Sequence, residues 1–365
     1  MTRHASPAHP ARSADCDCTT QDARSLQQAR PRSGTRALTV AACVALSSLA
    51  VSASASAETT LRVSHQFPGG QGDVRDEMVQ LMAKEVEAAD VDLALQVYPG
   101  QSLFKAKEQW GALVRGRLDM TSLPLDYASG RHPEFSATLM PGLVRNHERA
   151  QRLNDSAFMD MIKQVIQDAG ARVLADAWLA GGFASNKQCI TSPDTVAGQT
   201  MRAAGPAFDE MLATAGASIA SMPSSEIYTA MQTGVLDGAN TSSGSFVSYR
   251  IYEQVNCLTA PGENALWFMY EPILISEQSW SRLDEAQQQA LLEAGEKAEA
   301  YFAEQAAQLD QTMVDVFEEN GVDVVQMSQA DYDAWLEVAK ESAYKSFAEN
   351  VDNGQALIDA ALAVE

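Results

Sequence analysis

Two stretches follow one plan: Lys105-Ala-Lys-Glu-Gln-Trp-Gly-Ala-Leu-Val-Arg115-Gly116-Arg-Leu-Asp119-Met-Thr-Ser-Leu123 and Ser225-Glu-Ile-Tyr-Thr-Ala-Met-Gln-Thr233-Gly234-Val-Leu-Asp237-Gly-Ala-Asn240. In each, the spacing predicts a helix, over Lys105–Arg115 and over Ser225–Thr233. A glycine then supplies the left-handed C-terminal cap, and an apolar–Asp pair leads into a strand. The same unit in each half of the chain predicts two similar lobes.

Working outward, Leu61–His65 alternates as a strand, Gly69, Gly70 and Gly72 make a turn, and Met78, Leu81, Met82 and Val86 recur at helical spacing. Asp92–Tyr98 is a second strand, ended by Pro99-Gly100. Strand, helix, strand opens an α/β sheet. The expected fold class is therefore α/β, two-lobed, with an open sheet in each lobe. In such sheets ligands sit beyond the carboxyl ends of the strands. That points to Leu123–Tyr127 in one lobe and Asn240–Ser243 in the other, with Asp126, Asn240, Thr241 and Ser242 as candidate ligand contacts and His65 as a further one.

The N-terminus sets the compartment. Six arginines lie within residues 1–36, Ala37–Val51 is small and apolar, and Ala55-Ser56-Ala57 precedes Glu58. A basic region, a short apolar core and an Ala-x-Ala site form an export signal, with cleavage expected near Ala57 and a periplasmic mature chain. A retained anchor is the competing reading, but the run is short of the roughly 20 residues that span a bilayer. Without residues 1–57 the remaining 308 residues carry a formal charge near −25, against −22 for the whole chain. A field of that sign repels nucleic acid and anionic membranes. It also repels an anionic ligand at long range, so such a ligand needs a local cation. Two cysteines remain, Cys189 and Cys257, either as one disulfide or as two buried thiols.

The last 85 residues change character. Ser281–Glu319 is rich in Ala, Gln, Glu and Leu with a long apolar stripe, and it stops at Asn320-Gly321. A short strand, Val322–Met327, precedes a helix that Ser328 and Asp331 are placed to cap. Long C-terminal helices thus complete the fold.

Catalytic constellations are scarce. Only His65, His132 and His147 lie beyond the leader, far apart, and no nucleophile elbow, Walker loop or zinc-protease motif occurs. No enzyme activity, metal or cofactor is expected. Asp119 and Asp237 sit at equivalent strand entries, which favours a structural role over paired carboxylate chemistry.

One region carries a resemblance. Ala184-Ser-Asn186-Lys-Gln-Cys-Ile190-Thr-Ser-Pro193-Asp194-Thr-Val-Ala-Gly198-Gln-Thr-Met-Arg202 is followed by Gly216-Ala-Ser and by Met222-Pro-Ser-Ser-Glu226-Ile-Tyr228. It is similar to the solute-binding proteins of tripartite ATP-independent periplasmic (TRAP) transporters. Their pattern there is S-N-x-P-I-x-T-P-x-D-L-x-G-x-x-x-R, then G-A-x-P, then M-x-x-x-E-x-Y. The resemblance runs back through Arg117-Leu-Asp-Met120 and His132-Pro-Glu-Phe135, and forward to about Leu292. It implies a periplasmic-binding-protein fold that closes on its ligand, with Arg202 clamping the carboxylate of a small organic anion. It also implies delivery to a small and a large integral membrane subunit. The chain is read as a monomer that touches no nucleic acid. A ligand-sensing partner of a membrane receptor is the alternative within the same fold.

Lobe I is expected over 58–180 plus 268–308 and lobe II over 181–267 plus 309–365. The sequence departs from the family in one informative place. Many members carry a second arginine just before the S-N-x-P-I stretch, whereas Trp178-Leu-Ala-Gly-Gly-Phe183 has no basic residue. A dianion needing two clamps is therefore disfavoured against a monocarboxylate or a bulkier acid. Trp178, Phe183, Phe246, Trp267 and Phe268 are candidates to wall the site.

Overall fold

The computed structural model describes residues 58–364; the leader and its cleavage site lie outside them. The chain begins β1 (Thr59–His65), α1 (Val74–Ala88), β2 (Leu93–Tyr98), α2 (Ala106–Leu113) and β3 (Met120–Ser122). Two 3₁₀ turns, Leu125–Ala128 and Pro133–Leu139, lead to α3 (His147–Leu153), α4 (Ala157–Asp168), β4 (Ala171–Ala175) and β5 (Trp178–Ser185). The second half opens with α5 (Pro193–Val196), β6 (Thr200–Ala203), α6 (Pro206–Thr214), β7 (Ser218–Ser221), α7 (Ile227–Gln232), β8 (Gly238–Ser242) and α8 (Ser243–Ser248). Then come β9 (Cys257–Ala260), β10 (Trp267–Tyr270), β11 (Ile273–Ser276), α9 (Glu277–Trp280), α10 (Glu285–Glu319) and β12 (Asp323–Gln326). Helices α11 (Gln329–Ala339), α12 (Lys345–Asn350) and α13 (Gly354–Leu362) finish it.

These strands form two sheets, ordered β2-β1-β3-β11-β4 and β12-β9-β5-β8-β6-β7, with β10 pairing antiparallel to the first half of β5, Trp178–Gly181, on the edge opposite β8. The repeated unit of the sequence is real. In both sheets a strand–helix–strand–helix–strand unit folds with its first strand in the middle, giving parallel β2-β1-β3 and β7-β6-β8. Gly116 and Gly234 cap the second helix of each unit at φ 64° and 73°, where a side chain would be strained. Asp119 accepts a hydrogen bond from the Arg62 backbone N–H of β1 at 3.0 Å, and Asp237 accepts one from the Thr200 N–H of β6 at 2.9 Å. Each aspartate pins a strand entry to its parallel neighbour, so their role is structural.

The chain changes sheet between β4 and β5, at Asp176-Ala177, and back between β10 and β11, at Glu271-Pro272. The two crossings touch, since Glu271 N–H donates to Ala177 O at 2.7 Å. Helix α10 is continuous past both sheets. It starts at Asp284 rather than Ser281, because Asp284 and Gln287 make a reciprocal capping box. Ser328 caps α11 through the Asp331 N–H at 3.1 Å. Strand β12 and α11 pack with the second sheet, but α13 returns to the first, where Leu357, Ile358 and Ala361 join Phe158 and Ile162 in one core. An apolar face outweighs sequence proximity in deciding where a terminal helix sits.

Cys189 and Cys257 form a disulfide, with Cα atoms 5.2 Å apart. Cys257 pairs with Ser185 across β9 and β5, and Cys189 follows the bend just past Ser185, outside any strand.

Candidate functional site

The site is built where the carboxyl ends of the parallel strands face one another. Arg202 projects from β6 and is 1% exposed. Its guanidinium is held at three points: Nε donates to Met222 O at 3.0 Å, Nη1 to Asn240 O at 2.7 Å, and Nη2 to the Tyr127 hydroxyl at 3.3 Å. One N–H on each terminal nitrogen is left over, since a guanidinium carries one donor on Nε and two on each Nη. All three acceptors are neutral, and no acidic side chain among the described residues makes an ion pair with Arg202. Asp126 and Asp209 act on it only from beyond ion-pair distance, and a buried cation without a contacting counter-anion is costly, so the geometry is that of a receptor for an anion.

Tyr127 comes from the 3₁₀ turn after β3, so its bond to Arg202 crosses between the lobes, and the same hydroxyl accepts from Ser224 N–H at 2.9 Å. Other bonds close the interface. Gln101 Nε2 donates to Ser225 Oγ at 3.1 Å and the Tyr249 hydroxyl donates to Gln66 O at 3.0 Å. Arg75, fully buried at the start of α1, donates through Nη1 to Ser242 and Ser245 of the β8–α8 junction, is paired to Asp73 at 2.8 Å, and stacks over Phe67. Glu271, on the crossing segment, stands 3.8 Å from Arg75. Burial pushes its carboxyl up to about 7; Arg75 opposes the rise and Asp73 adds to it. The lobes are shut on each other.

Buried polar atoms without a hydrogen-bond partner among the described residues gather at these strand ends. They include the side chains of His65, Gln66, Ser122 and Asn240, Asp126 Oδ1, and Trp267 Nε1. His65 Nε2 lies 3.1 Å from Asp76 Oδ1 without the alignment of a hydrogen bond. An unpaired buried polar group costs roughly 1–3 kcal/mol, so such a concentration marks a place that meets a polar ligand. Asp126 is 2% exposed; burial, and then the neighbouring Asp209, push its carboxyl up to about 8, while Arg202 and Lys107 partly offset them.

Of the residues singled out from sequence, Arg202, His65, Asp126 and Asn240 are placed at this interface. Thr241 lies fully buried in β8 opposite Gly182, and Ser242 is committed to Arg75 and to capping α8. Trp267 is pressed against Gly181, where no Cβ could fit. The other aromatics go elsewhere. Phe183 stacks on Trp335 at 5.9 Å inside a core, and Phe246 meets Phe317 edge-on at 5.7 Å in another. Trp178 donates to Asn154 and lines a separate cavity of about 510 Å³ between α3 and α10. That cavity is walled by Asp155, Asp176, Glu296 and Glu299 with no lysine or arginine, so it suits no organic anion. The reason is physical: β5 is buried on both faces, so its aromatic positions look alike in sequence whether they face a core or a cleft. Tyr127 closes the Leu123–Tyr127 segment that the sequence pointed to, whereas Arg75, Glu271 and Asp209 carry no signal in sequence, because each gains its meaning from a partner in the other lobe or on a crossing segment.

Two α/β lobes closed around a buried, preorganised guanidinium define a solute-binding protein. The chain belongs to the bacterial extracellular solute-binding proteins of family 7, the DctP family of TRAP-transporter receptors, whose family model matches residues 66–350. It is similar to a solute-binding protein of Albidiferax ferrireducens, 36% identical over 293 residues that cover 79% of this chain and 87% of that one. A TRAP periplasmic solute-binding protein of Rhodoferax ferrireducens, solved with malonate bound, superposes with a TM-score of 0.81 at 36% identity, over 83% of this chain and 97% of that one. One from Sulfurospirillum deleyianum, solved with succinate, shares the fold at 23% identity and a TM-score of 0.77, over 85% and 100%. The family consists of binding receptors rather than enzymes, and it is periplasmic.

Proposed function

We propose that this protein captures a small organic acid between its lobes, Arg202 pairing with the carboxylate, and hands it to the small and large membrane subunits of a TRAP transporter. The observation that carries the reading is the Arg202 guanidinium, buried, fixed by three neutral acceptors and lacking an acidic partner. A carboxylate docking on its remaining N–H groups makes charge-assisted bonds that burial strengthens. The malonate held by the relative from Rhodoferax ferrireducens supports the ligand class. Residues 1–57 act as the export signal, cut near Ala57, and the mature chain works as a monomer. Asn240, His65 and Gln66 supply further polar contacts around the clamp.

A thermal-shift screen of organic acids tests this, since a ligand at 100 times its dissociation constant stabilises by about 2.7 kcal/mol. At least one monocarboxylate or short dicarboxylate is expected to raise the unfolding temperature of the wild type and to lose its effect in Arg202→Ala. Binding of that acid within a few-fold of wild type by Arg202→Ala would remove the clamp.

A further inference from the structure

Four buried residues at the strand ends carry orphan polar atoms of both kinds: Asn240, Gln66, Trp267 and Glu271. The acceptors without a partner among the described residues are Asn240 Oδ1, Gln66 Oε1 and both carboxyl oxygens of Glu271. The donors are Asn240 Nδ2, Gln66 Nε2 and Trp267 Nε1. Turning either amide over exchanges its own oxygen and nitrogen and leaves this inventory unchanged.

Register and hydrogen bonds tie these groups to the clamp. Asn240 holds Arg202 through its main-chain oxygen, which accepts from Nη1 at 2.7 Å. Its side chain shares a face of β8 with that of Ser242, because alternate residues of a strand point the same way. Ser242 Oγ accepts from Arg75 Nη1 at 3.2 Å, and that nitrogen stands 3.8 Å from Glu271 Oε2, beyond hydrogen-bond reach. Trp267 pairs with Gly181 on one edge of β5, and Ser242 pairs with the same glycine on the other. Gln66 comes from the first lobe, where its main-chain oxygen accepts from the Tyr249 hydroxyl at 3.0 Å.

Resting on the Arg202 clamp, we infer that these residues read hydroxyl groups along the body of the ligand, so that the substrate class is polyhydroxylated monocarboxylates, with Glu271 excluding a second carboxylate. A hydroxyl donates one bond and accepts others, so a row of hydroxyls satisfies the orphan acceptors and the orphan donors together. An alkyl chain satisfies neither. A second carboxylate only accepts. It would leave the oxygens of Glu271, Gln66 and Asn240 unpaired and set a like charge against Glu271. An ammonium group only donates, and would leave the Trp267 and amide N–H groups unpaired. Buried polar groups reject ligands that lack their partner more strongly than an apolar wall does.

Calorimetric titration of the mature chain tests this at pH 8.5, above the value of about 7 to which burial pushes the Glu271 carboxyl, so that both its oxygens accept. The probes are sets matched in length: propionate, malonate and glycerate; butyrate, succinate and threonate; hexanoate, adipate and gluconate. The polyhydroxylated acid of the best-fitting length is expected to bind at least about tenfold more tightly than the alkyl acid and the dicarboxylate of that length. Glu271→Gln puts an N–H₂ donor where an oxygen accepts. It should narrow the ratio of affinities between the polyhydroxylated acid and the dicarboxylate by about fivefold or more. Unliganded thermal unfolding shows whether the variant keeps its fold, and a ratio of affinities does not depend on the fraction that is active. A wild type that binds none of the probes, or prefers the alkyl acid or the dicarboxylate in every set, overturns the inference. So does a ratio unchanged in Glu271→Gln. Equal binding of all three kinds that is lost in Arg202→Ala removes this inference and keeps the clamp. Binding that survives in Arg202→Ala removes both.

Discussion

Arg202 Nη2 donates to the Tyr127 hydroxyl at 3.3 Å, and that single bond ties the clamp of one lobe to the rim of the other. The same hydroxyl accepts from Ser224 N–H, so a phenol on the first lobe reads two groups of the second. Such a contact exists only when the cleft is shut. It belongs to the energy of closure rather than of folding.

Tyr127→Phe separates those two energies. Losing two hydrogen bonds worth about 0.5–1.5 kcal/mol each should weaken the affinity for whichever acid the screen identifies by roughly five- to a hundredfold. The unliganded unfolding midpoint should move little. Calorimetry and denaturant titration together check this, and an equal loss in both would show that the hydroxyl supports the fold instead.

Gly205→Ala blocks closure by volume. Its backbone is extended, with φ 163° and ψ 178°, so alanine is tolerated locally, but the added Cβ would overlap Asp126 Oδ2 across the cleft. The variant should fold with a wild-type circular dichroism spectrum and bind acid more than tenfold worse. Small-angle scattering should show no compaction on adding ligand, and wild-type affinity would refute the closed contact.

Glu271 makes stability depend on pH. Its folded-state carboxyl is raised from 4.5 to about 7 by burial, with Arg75 opposing and Asp73 adding to the rise. Between those values the folded protein holds more protons than the unfolded chain, so stability falls as pH rises through that window and levels off above it. Asp126, raised to about 8, acts in the same sense. Thermal unfolding from pH 5 to 8.5 should show that decline, and Glu271→Gln should make it shallower. An unchanged slope in the variant would mean that Glu271 does not titrate there.

The disulfide between Cys189 and Cys257 closes a loop with a sequence separation of 68. On the chain-entropy account, removing it should lower stability by about 4 kcal/mol. Replacing both cysteines by serine, or adding reductant, should lower the denaturant midpoint by the corresponding amount, whereas ligand specificity should not change, because the bond lies at the far end of β5 from the crossing segments.

Much of this fold was legible before any coordinates. Gly116 and Gly234 announce helix ends because glycine alone sits easily in the left-handed region, and Asp119 and Asp237 mark equivalent strand entries. Arg202 stands out because its neighbours in sequence spell a family pattern. Local conformational preferences and periodicity are properties of short segments, and they survive without the rest of the chain. The aromatics were not legible in the same way. Phe183 and Phe246 are wall candidates by residue type, yet α11 and α10 lay Trp335 and Phe317 over them.

The sequence by itself therefore determined the two α/β units, their order, the Ser328 cap of α11 and the one cation suited to a carboxylate. Tertiary structure alone decided which strands cross between sheets, that α13 returns to the first lobe, and that Cys189 reaches Cys257 from outside any strand. It also decided that Asp126 faces Gly205 and Tyr127 faces Arg202. Those pairings join residues 75 or more positions apart, and no local preference encodes them. They arise because closure removes both partners from water together, and only the folded surfaces determine which groups then meet.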